Sequence, residues 1–324
     1  MPEVSIVVPV YKAEEWLDQC AQSIFAQTFR DFEVIFVDDG SPDNCPGMLD
    51  HYALLDPRVR VIHKVNGGLS DARNAGMRIA RGTYIQFIDS DDFVEPDLLK
   101  LCVERLNETG ADMVIFDYAQ YFMATGTREV IHNVFDAGKV YSLSNEPRLL
   151  TDIANAAWNK MYRISLFRDH AIEYPWGYFY EDLGTTYRLL ARAEKVAFVD
   201  QVLYDYRQDR PGNITGTFDI RTFHVLDMVK INLDDYQRLG IYEQYYEELK
   251  FLGCVNILEC LKKTRTAQDH ALALKFVQVC FWFIHNHWPE FPKCKYPIAR
   301  QKGDWIYTSE TRLRLYLKWK WKGE

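Results

Sequence analysis

Residues 84–93, Tyr-Ile-Gln-Phe-Ile-Asp-Ser-Asp-Asp-Phe, place Asp89, Asp91 and Asp92 within four positions directly behind an apolar run. The β-branched and aromatic residues of 84–88 contain no Gly or Pro and predict a buried strand. Nothing polar separates that strand from its carboxylates. Charges of one sign so close together favour protonation unless a cation joins them. A hard divalent ion that takes oxygen ligands and keeps part of its water shell suits such a cluster, and would also hold the phosphates of a substrate. The competing reading is a solvated strand end whose aspartates cap the helix opened by Glu95-Pro96.

The elements that would position these groups can be read in order. Residues 4–10 form a continuous apolar run, the mark of a buried parallel strand. A helix over 14–27 follows, with Trp16, Leu17, Cys20, Ala21, Ile24 and Phe25 on one face. Strands are predicted over 32–37 and 59–63, with a helix over 46–55 between them. Ser70 caps a helix running to Arg81 that stops at Gly82. Strand–helix alternation with short connections gives a doubly wound, mostly parallel α/β sheet. Ligands in such sheets bind beyond the carboxyl ends of the strands. Pro9-Val10-Tyr11, Asp38-Asp39-Gly40-Ser41 and the aspartates at 89–92 would therefore gather at one edge. An Asx-turn feeding a helix cap is the competing account of Asp38 and Asp39.

Beyond this half, a helix is expected over 96–108, a strand over 112–118 and a helix over 145–155. The pattern loosens over 120–144. An extended segment is expected over 156–162, a helix over 181–193, and strands over 196–199 and 203–207. Arg210-Pro211-Gly212-Asn213 marks a boundary, and long helical patterns over 223–263 and 268–287 follow.

Composition limits the function. Hydrophobic residues at 48% and aromatics at 15% exclude a disordered chain. A net charge of −8 argues against a dedicated nucleic-acid binder. From 293 to 324 the chain carries nine Lys/Arg against three acids, a local +6 that leaves −14 elsewhere. Seven cysteines without Cys-x-x-Cys spacing signal neither a zinc site nor a disulfide framework, so reduced thiols and a cytoplasmic setting are expected. Met1 leads into a strand, and no signal peptide is expected. The longest apolar stretch, residues 276–284, falls far short of the ~20 residues that span a bilayer.

Four ordered blocks carry a family likeness: Ser5-Ile6-Val7-Val8-Pro9-Val10-Tyr11, Val37-Asp38-Asp39-Gly40-Ser41, Asn66-Gly67-Gly68-Leu69-Ser70-Asp71-Ala72-Arg73-Asn74 and Ile88-Asp89-Ser90-Asp91-Asp92. They resemble the signature blocks of the family 2 inverting glycosyltransferases, which have the A-type nucleotide-diphospho-sugar transferase fold (GT-A). Trp158-Asn159-Lys160, Tyr180-Glu181-Asp182 and Leu203-Tyr204-Asp205-Tyr206-Arg207 extend the likeness toward bacterial members that build capsule, exopolysaccharide or lipid-linked glycans.

The resemblance implies a catalytic domain over 1–215, with a nucleotide-sugar half (1–118) and an acceptor-side half (119–215). A helical region (216–292) and a basic aromatic tail (293–324) follow. It further implies that Pro9 and Tyr11 border the nucleotide and that Asp39 accepts the imide N–H of uracil, while Asp38 positions the loop. Arg73 would lie against base or diphosphate, or form an ion pair within the sheet edge; Asp89 would reach the ribose, and Asp91, with Asp89, would ligate Mn²⁺ or Mg²⁺. Asp92 is either behind the metal ligands or a helix N-terminal carboxylate. Asp182 would be the base that deprotonates the acceptor hydroxyl, the competing account being that Glu181 and Asp182 stabilise a helix N-terminus. Glu181 would contact the acceptor or raise Asp182's proton affinity. Trp158, Asn159 and Lys160 would face the acceptor, although a buried Trp on a strand is an equally ordinary state. Arg207 would close over the diphosphate. The loop Asn213-Ile214-Thr215 lacks the Ser that many relatives carry there.

The donor implied is a UDP-hexose or UDP-N-acetylhexosamine, and the acceptor a glycan or lipid-linked saccharide. A non-catalytic nucleotide-sugar or carbohydrate-binding protein is the alternative. A sugar-nucleotide pyrophosphorylase would need glycines after the first strand, where Tyr11-Lys12-Ala13-Glu14 has none. The apolar spacing of Leu226, Val229, Leu233, Tyr236 and Leu239 predicts helices that pack on the catalytic domain or on a second subunit in a homodimer. In the tail, Trp305, Tyr307, Tyr316, Trp319 and Trp321 alternate with Arg312, Arg314, Lys318, Lys320 and Lys322. That mixture suits peripheral contact with the inner face of the cell membrane, or a solvated basic helix packing its aromatics on its own domain.

Overall fold

The computed structural model describes residues 1–209, 217–299 and 301–321. The boundary loop at 210–213 and the Asn213-Ile214-Thr215 departure lie outside the described residues. The chain divides into two units, the first comprising 1–146, 152–177 and 185–209, the second 147–151, 178–184 and the described residues from 217 onward.

The first unit is built on one ten-stranded sheet: Val4–Val10 (β1), Phe32–Asp38 (β2), Val59–His63 (β3), Tyr84–Phe87 (β4), Phe93–Val94 (β5), Met113–Phe122 (β6), Thr127–Ile131 (β7), Val140–Tyr141 (β8), Lys160–Arg163 (β9) and Val196–Gln208 (β10). The order is β3-β2-β1-β4-β9-β6-β10-β5, with β7 beside β6 and β8 beside β10. Pairing is parallel from β3 through β4 and between β6 and β10. It is antiparallel where β9 joins β4 to β6 and where β5, β7 and β8 attach. Every residue of β1 and β2 is buried, which explains why their runs are almost wholly apolar apart from Ser5, Glu33 and Asp38.

Helices Leu17–Phe25 (α1), Cys45–Leu55 (α2), Leu69–Ile79 (α3) and Leu98–Thr109 (α4) make the connections in this half. On α3 the approach to the sheet is close enough that a Cβ at Gly76 would collide with Val7 Cγ1 and lie 3.3 Å from Val37 Cγ2.

The amino-terminal edge of the sheet is sealed by Glu33, which is buried on β2. Its carboxylate accepts from Ser5 Oγ at 2.7 Å, from the Arg81 N–H at 2.7 Å and from Arg60 at 3.0 Å. Burial opposes the charged form, but these donors prevail and hold Glu33 below the ordinary carboxylate range.

Four expectations need correction. The loose stretch over 120–144 contains a hairpin, in which β6 continues to Phe122 and turns at Gly126 (φ +67°) into β7. The helix expected over 145–155 is reduced to Leu149–Asp152 (α5), because Lys160 Nζ draws the carbonyls of Ala154 and Ala156 out of any helical pattern. A further short helix, Ser165–Arg168 (α6), was not foreseen, and the helix expected over 181–193 covers only Leu183–Leu190 (α7). The strands expected over 196–199 and 203–207 are one strand, β10, whose register with β6 shifts between Val199 and Tyr204. Those shifts break the apolar alternation without ending the strand.

The second unit is helical, with His224–Arg238 (α8), Tyr246–Lys263 (α9), His270–His287 (α10) and Glu310–Lys320 (α11). Gly240, at φ +72°, splits the long pattern expected over 223–263. Leu226, Val229, Leu233 and Tyr236 are buried, whereas Leu239 is exposed. Gly253 on α9 has no room for a side chain, since a Cβ would strike the Trp288 ring. No described helix is long and apolar enough to cross a membrane.

Gly76→Ala forces α3 away from β1, and overpacking of this kind costs about 1–3 kcal/mol. Urea denaturation should show that loss; a variant as stable as the parent would mean that α3 can shift without strain.

Candidate active site

The parallel register sets Val10 opposite Asp38 and Val7 opposite Phe87, so the loops after β1, β2 and β4 leave one edge of the sheet. The Asp39 N–H continues the ladder to the Val10 carbonyl at 2.9 Å. Pro9 lies within β1, and Tyr11, just past its end, is exposed.

The two adjacent aspartates of the second loop do different work. Asp38 accepts from the Ser41 N–H at 2.8 Å and from His63 Nδ1 at 2.9 Å. His63 also meets Asp50, and its bonds to Asp38 and Asp50 raise its proton affinity above the ordinary value. Asp38 thus shapes the turn. Asp39, which is buried, reaches across to the next loop: Oδ1 accepts from the Gly67 N–H (2.8 Å) and from Lys64 Nζ, and Oδ2 from the Gly68 N–H (2.7 Å). A Cβ at Gly67 would push aside the Asp71 carboxylate, which lies against the same turn. Gly68, at φ +88°, starts α3 in a conformation that L side chains rarely adopt.

Helix α3 then delivers Arg73 and Asn74. Arg73 is 1% exposed; its Nη2 donates to Asp89 Oδ1 at 2.9 Å and its guanidinium lies 5.2 Å from the Tyr174 ring centre. Asn74 fixes the same tyrosine by exchanging two hydrogen bonds with its backbone, at 2.8 and 2.9 Å.

The carboxylates after β4 form a graded cluster. Asp89 is partly open to solvent, Asp91 is 8% exposed and Asp92 is buried. Asp92 is held from behind by the end of β10, with Oδ2 accepting from Tyr204 Oη (2.7 Å) and Oδ1 from the Arg207 N–H (2.8 Å). Arg207 also donates through Nε to the Asp91 carbonyl (2.7 Å) and through Nη2 to Gln19 (2.8 Å). Its guanidinium lies 4.8 Å from the Trp16 ring centre and 5.4 Å from that of Phe93.

Burial, then Asp91 and Asp89, push the Asp92 carboxyl well above the carboxylate range. Burial and the same three aspartates push the nearby Cys20 thiol up as well. The cluster therefore has a strongly negative field that a cation would relieve. Among the described residues no three His, Cys, Asp or Glu side chains form a full metal cage. The donor set fits an ion held by one or two carboxylates, with phosphate oxygens and water completing its shell, which is the habit of Mg²⁺.

The Trp158-Asn159-Lys160 block is largely enclosed. Trp158, 7% exposed, stacks on Tyr204 (4.5 Å) and Tyr206 (5.2 Å) and meets Tyr118 edge-on. Lys160 is fully buried, and Nζ donates to the Ala154 and Ala156 carbonyls and to Asn159 Oδ1 at 2.6–2.8 Å. These contacts order residues 154–159. Glu181 and Asp182 belong to the second unit and immediately precede α7. Glu181 is buried and Asp182 half-buried, behind Tyr180, which sits at φ +64° with its hydroxyl taking a bond from Lys263 at 2.9 Å.

Sequence reasoning assigned no role to Tyr204, Lys64, Gln19 or Trp16. Lys64 carries a readable signal, as a cation directly past a strand end at the ligand-binding edge. The other three become visible only through Asp92 and Arg207.

Tyr204→Phe keeps the stacking on Trp158 and removes only the hydroxyl. Leaving Asp92 one donor short is expected to lower stability by about 1–3 kcal/mol. Equal urea midpoints for the two proteins would show that the hydroxyl does not support the cluster.

Comparison with known proteins gives a consistent picture. The family model described as glycosyl transferase family 2 matches residues 5–171. A protein of Bacillus subtilis (strain 168), "Uncharacterized glycosyltransferase EpsJ", is 34% identical over 229 residues, 66% of this chain and 63% of EpsJ, so the match spans less than two thirds of that relative's length. Among solved structures, S. aureus TarS 1–349 in complex with UDP-GlcNAc aligns with a TM-score of 0.60 at 18% identity, over 89% of each chain. The mannosyltransferase PcManGT from Pyrobaculum calidifontis, in complex with GDP-Man and Mn²⁺, aligns at 0.53 and 13% identity, over 100% of this chain and 88% of that one. At these identities the two structures establish a shared GT-A fold.

Proposed function

The chain belongs to glycosyl transferase family 2, and from that membership we propose that it moves a sugar from a UDP-linked donor to a hydroxyl of a glycan or lipid-linked saccharide, with inversion. The observation that carries this reading is the cluster Asp89-Asp91-Asp92, fixed to the end of β10 at the edge where the β1, β2 and β4 loops emerge.

Asp39 supports uridine. A carboxylate offers about four acceptor positions. The Gly67 N–H, Lys64 and the Gly68 N–H take three of them, which leaves one on Oδ2. A single position suits the one imide N–H of uracil, whereas the guanine edge presents two donors side by side. Pro9 and Tyr11 border the base in this reading, and Asp89 reaches the ribose while Arg73 holds its other oxygen.

Asp91, with Asp89 beside it, would hold Mn²⁺ or Mg²⁺. The ion, when bound, supplies charge neutralisation on the departing diphosphate. Arg207 fixes the Asp91 backbone and adds a positive charge behind it. Single displacement at the anomeric carbon needs one base on the acceptor side, and that role falls to Asp182. Glu181, its buried neighbour in sequence, would contact the acceptor beside it. Asn159 and Lys160 order the segment that presents the edge of Trp158 to the acceptor.

Asp182→Asn keeps the side chain's size and replaces the proton-accepting carboxylate by an amide. Release of UDP from a panel of UDP-hexoses and UDP-N-acetylhexosamines with Mn²⁺ and a saccharide acceptor should fall by roughly 10²–10⁴-fold, with UDP affinity unchanged. Near-normal turnover would remove Asp182 from the mechanism. Donor binding without any transfer by the parent protein would favour the non-catalytic reading.

A further inference from the structure

Within the second unit the carboxy-terminal segment divides its aromatics. Tyr307, Leu313 and Leu317 are buried, and Trp321 stacks on His270 at 4.0 Å, so α11 is anchored through one face. The opposite face is left open: Leu315 is 64% exposed and Trp319 72% exposed. Arg312, Leu315 and Trp319 fall at i, i+3 and i+7 on the helix, a single outward stripe, with Lys318 exposed beside it. The stripe extends beyond the helix, because the Arg312 guanidinium lies 5.2 Å from the ring centre of Trp305, itself 56% exposed. Large apolar side chains at these exposures, interleaved with cations, need a partner that is both oily and anionic.

We infer that this stripe (Trp305, Arg312, Leu315, Lys318, Trp319) docks the protein onto an anionic lipid surface. Indole rings settle at the headgroup level, where ring and N–H find matching surroundings, and cations beside them meet lipid phosphates. Charge singles out a membrane over a second copy of the chain. The segment 293–324 carries +6 and the remainder −14, so among the parts of the chain this segment is the one that a polyanionic sheet attracts. A partner stripe on a second copy would set cation against cation. The inference goes beyond the transfer reaction and does not depend on it.

The test is flotation of the full chain with vesicles of phosphatidylcholine carrying about 30 mol% phosphatidylglycerol, beside pure phosphatidylcholine vesicles. The parent protein should float with the anionic vesicles, stay behind with the neutral ones, and be released at high salt. Leu315→Ser/Trp319→Ser, at positions already open to water, should keep the parent's melting temperature and UDP affinity while the floated fraction falls roughly tenfold. Arg312→Gln/Lys318→Gln should lose flotation at moderate salt. A parent protein that ignores anionic vesicles overturns the inference, as does a double serine variant that floats equally well. A parent dimer that the serine variant converts to monomer, without flotation in either, would assign the stripe to self-association and also overturn it.

Discussion

Three carboxylates forced together at the end of a buried strand are the constraint from which the rest of the first unit follows. Asp92 could not stay buried beside Asp89 and Asp91 without donors, and β10 provides them from more than a hundred residues away. Tyr204 and Arg207 face Asp92 because β10 runs parallel to β6 and pairs antiparallel with β5, the short strand directly after the aspartates. The sheet order thus serves to bring a hydroxyl, a backbone N–H and a guanidinium behind a charged loop. Breaking one partner of such a buried network leaves a desolvated charge, which is why its members act together.

The two ends of the parallel strands illustrate opposite uses of the same groups. At the amino-terminal edge Glu33 is saturated by Ser5, Arg60 and Arg81, its charge stabilised and enclosed. At the carboxyl edge Asp89 keeps partial exposure, Asp91 is nearly buried, and burial and like charge work against ionisation of Asp92. One edge is complete without a ligand. The other crowds like charges at a strand end, an arrangement that a bound cation would relieve.

The early strands and helices were legible because their signals are local. Mostly apolar runs, a helical period and acids at strand ends place β1, α3 and the Asp89–Asp92 loop without any partner being known, although Ser70, expected as the cap of α3, lies inside the helix, which starts after Gly68 and ends at Ile79 rather than Arg81. Asp38's role in the turn was readable for the same reason. Less legible were features that depend on distant pairing. The irregular register of β10 disguised one strand as two. In the hairpin of β6 and β7, the second strand is almost wholly exposed and too short to carry an apolar period. Lys160 reads in sequence as a cation facing the acceptor, yet it is enclosed by carbonyls that a linear reading cannot bring to it. Asp92's position behind the other two aspartates could not be chosen over a helix cap until Tyr204 was in place.

The central claim is that Asp91 joins a divalent ion to the diphosphate of a nucleotide. Its most direct test is calorimetric titration of UDP into the parent protein and into Asp91→Asn, each with Mn²⁺ and with chelator. The account predicts that Mn²⁺ strengthens UDP binding by the parent by roughly tenfold or more and has little effect on the variant, while both bind alike in chelator. Equal strengthening by Mn²⁺ in the two proteins would contradict it.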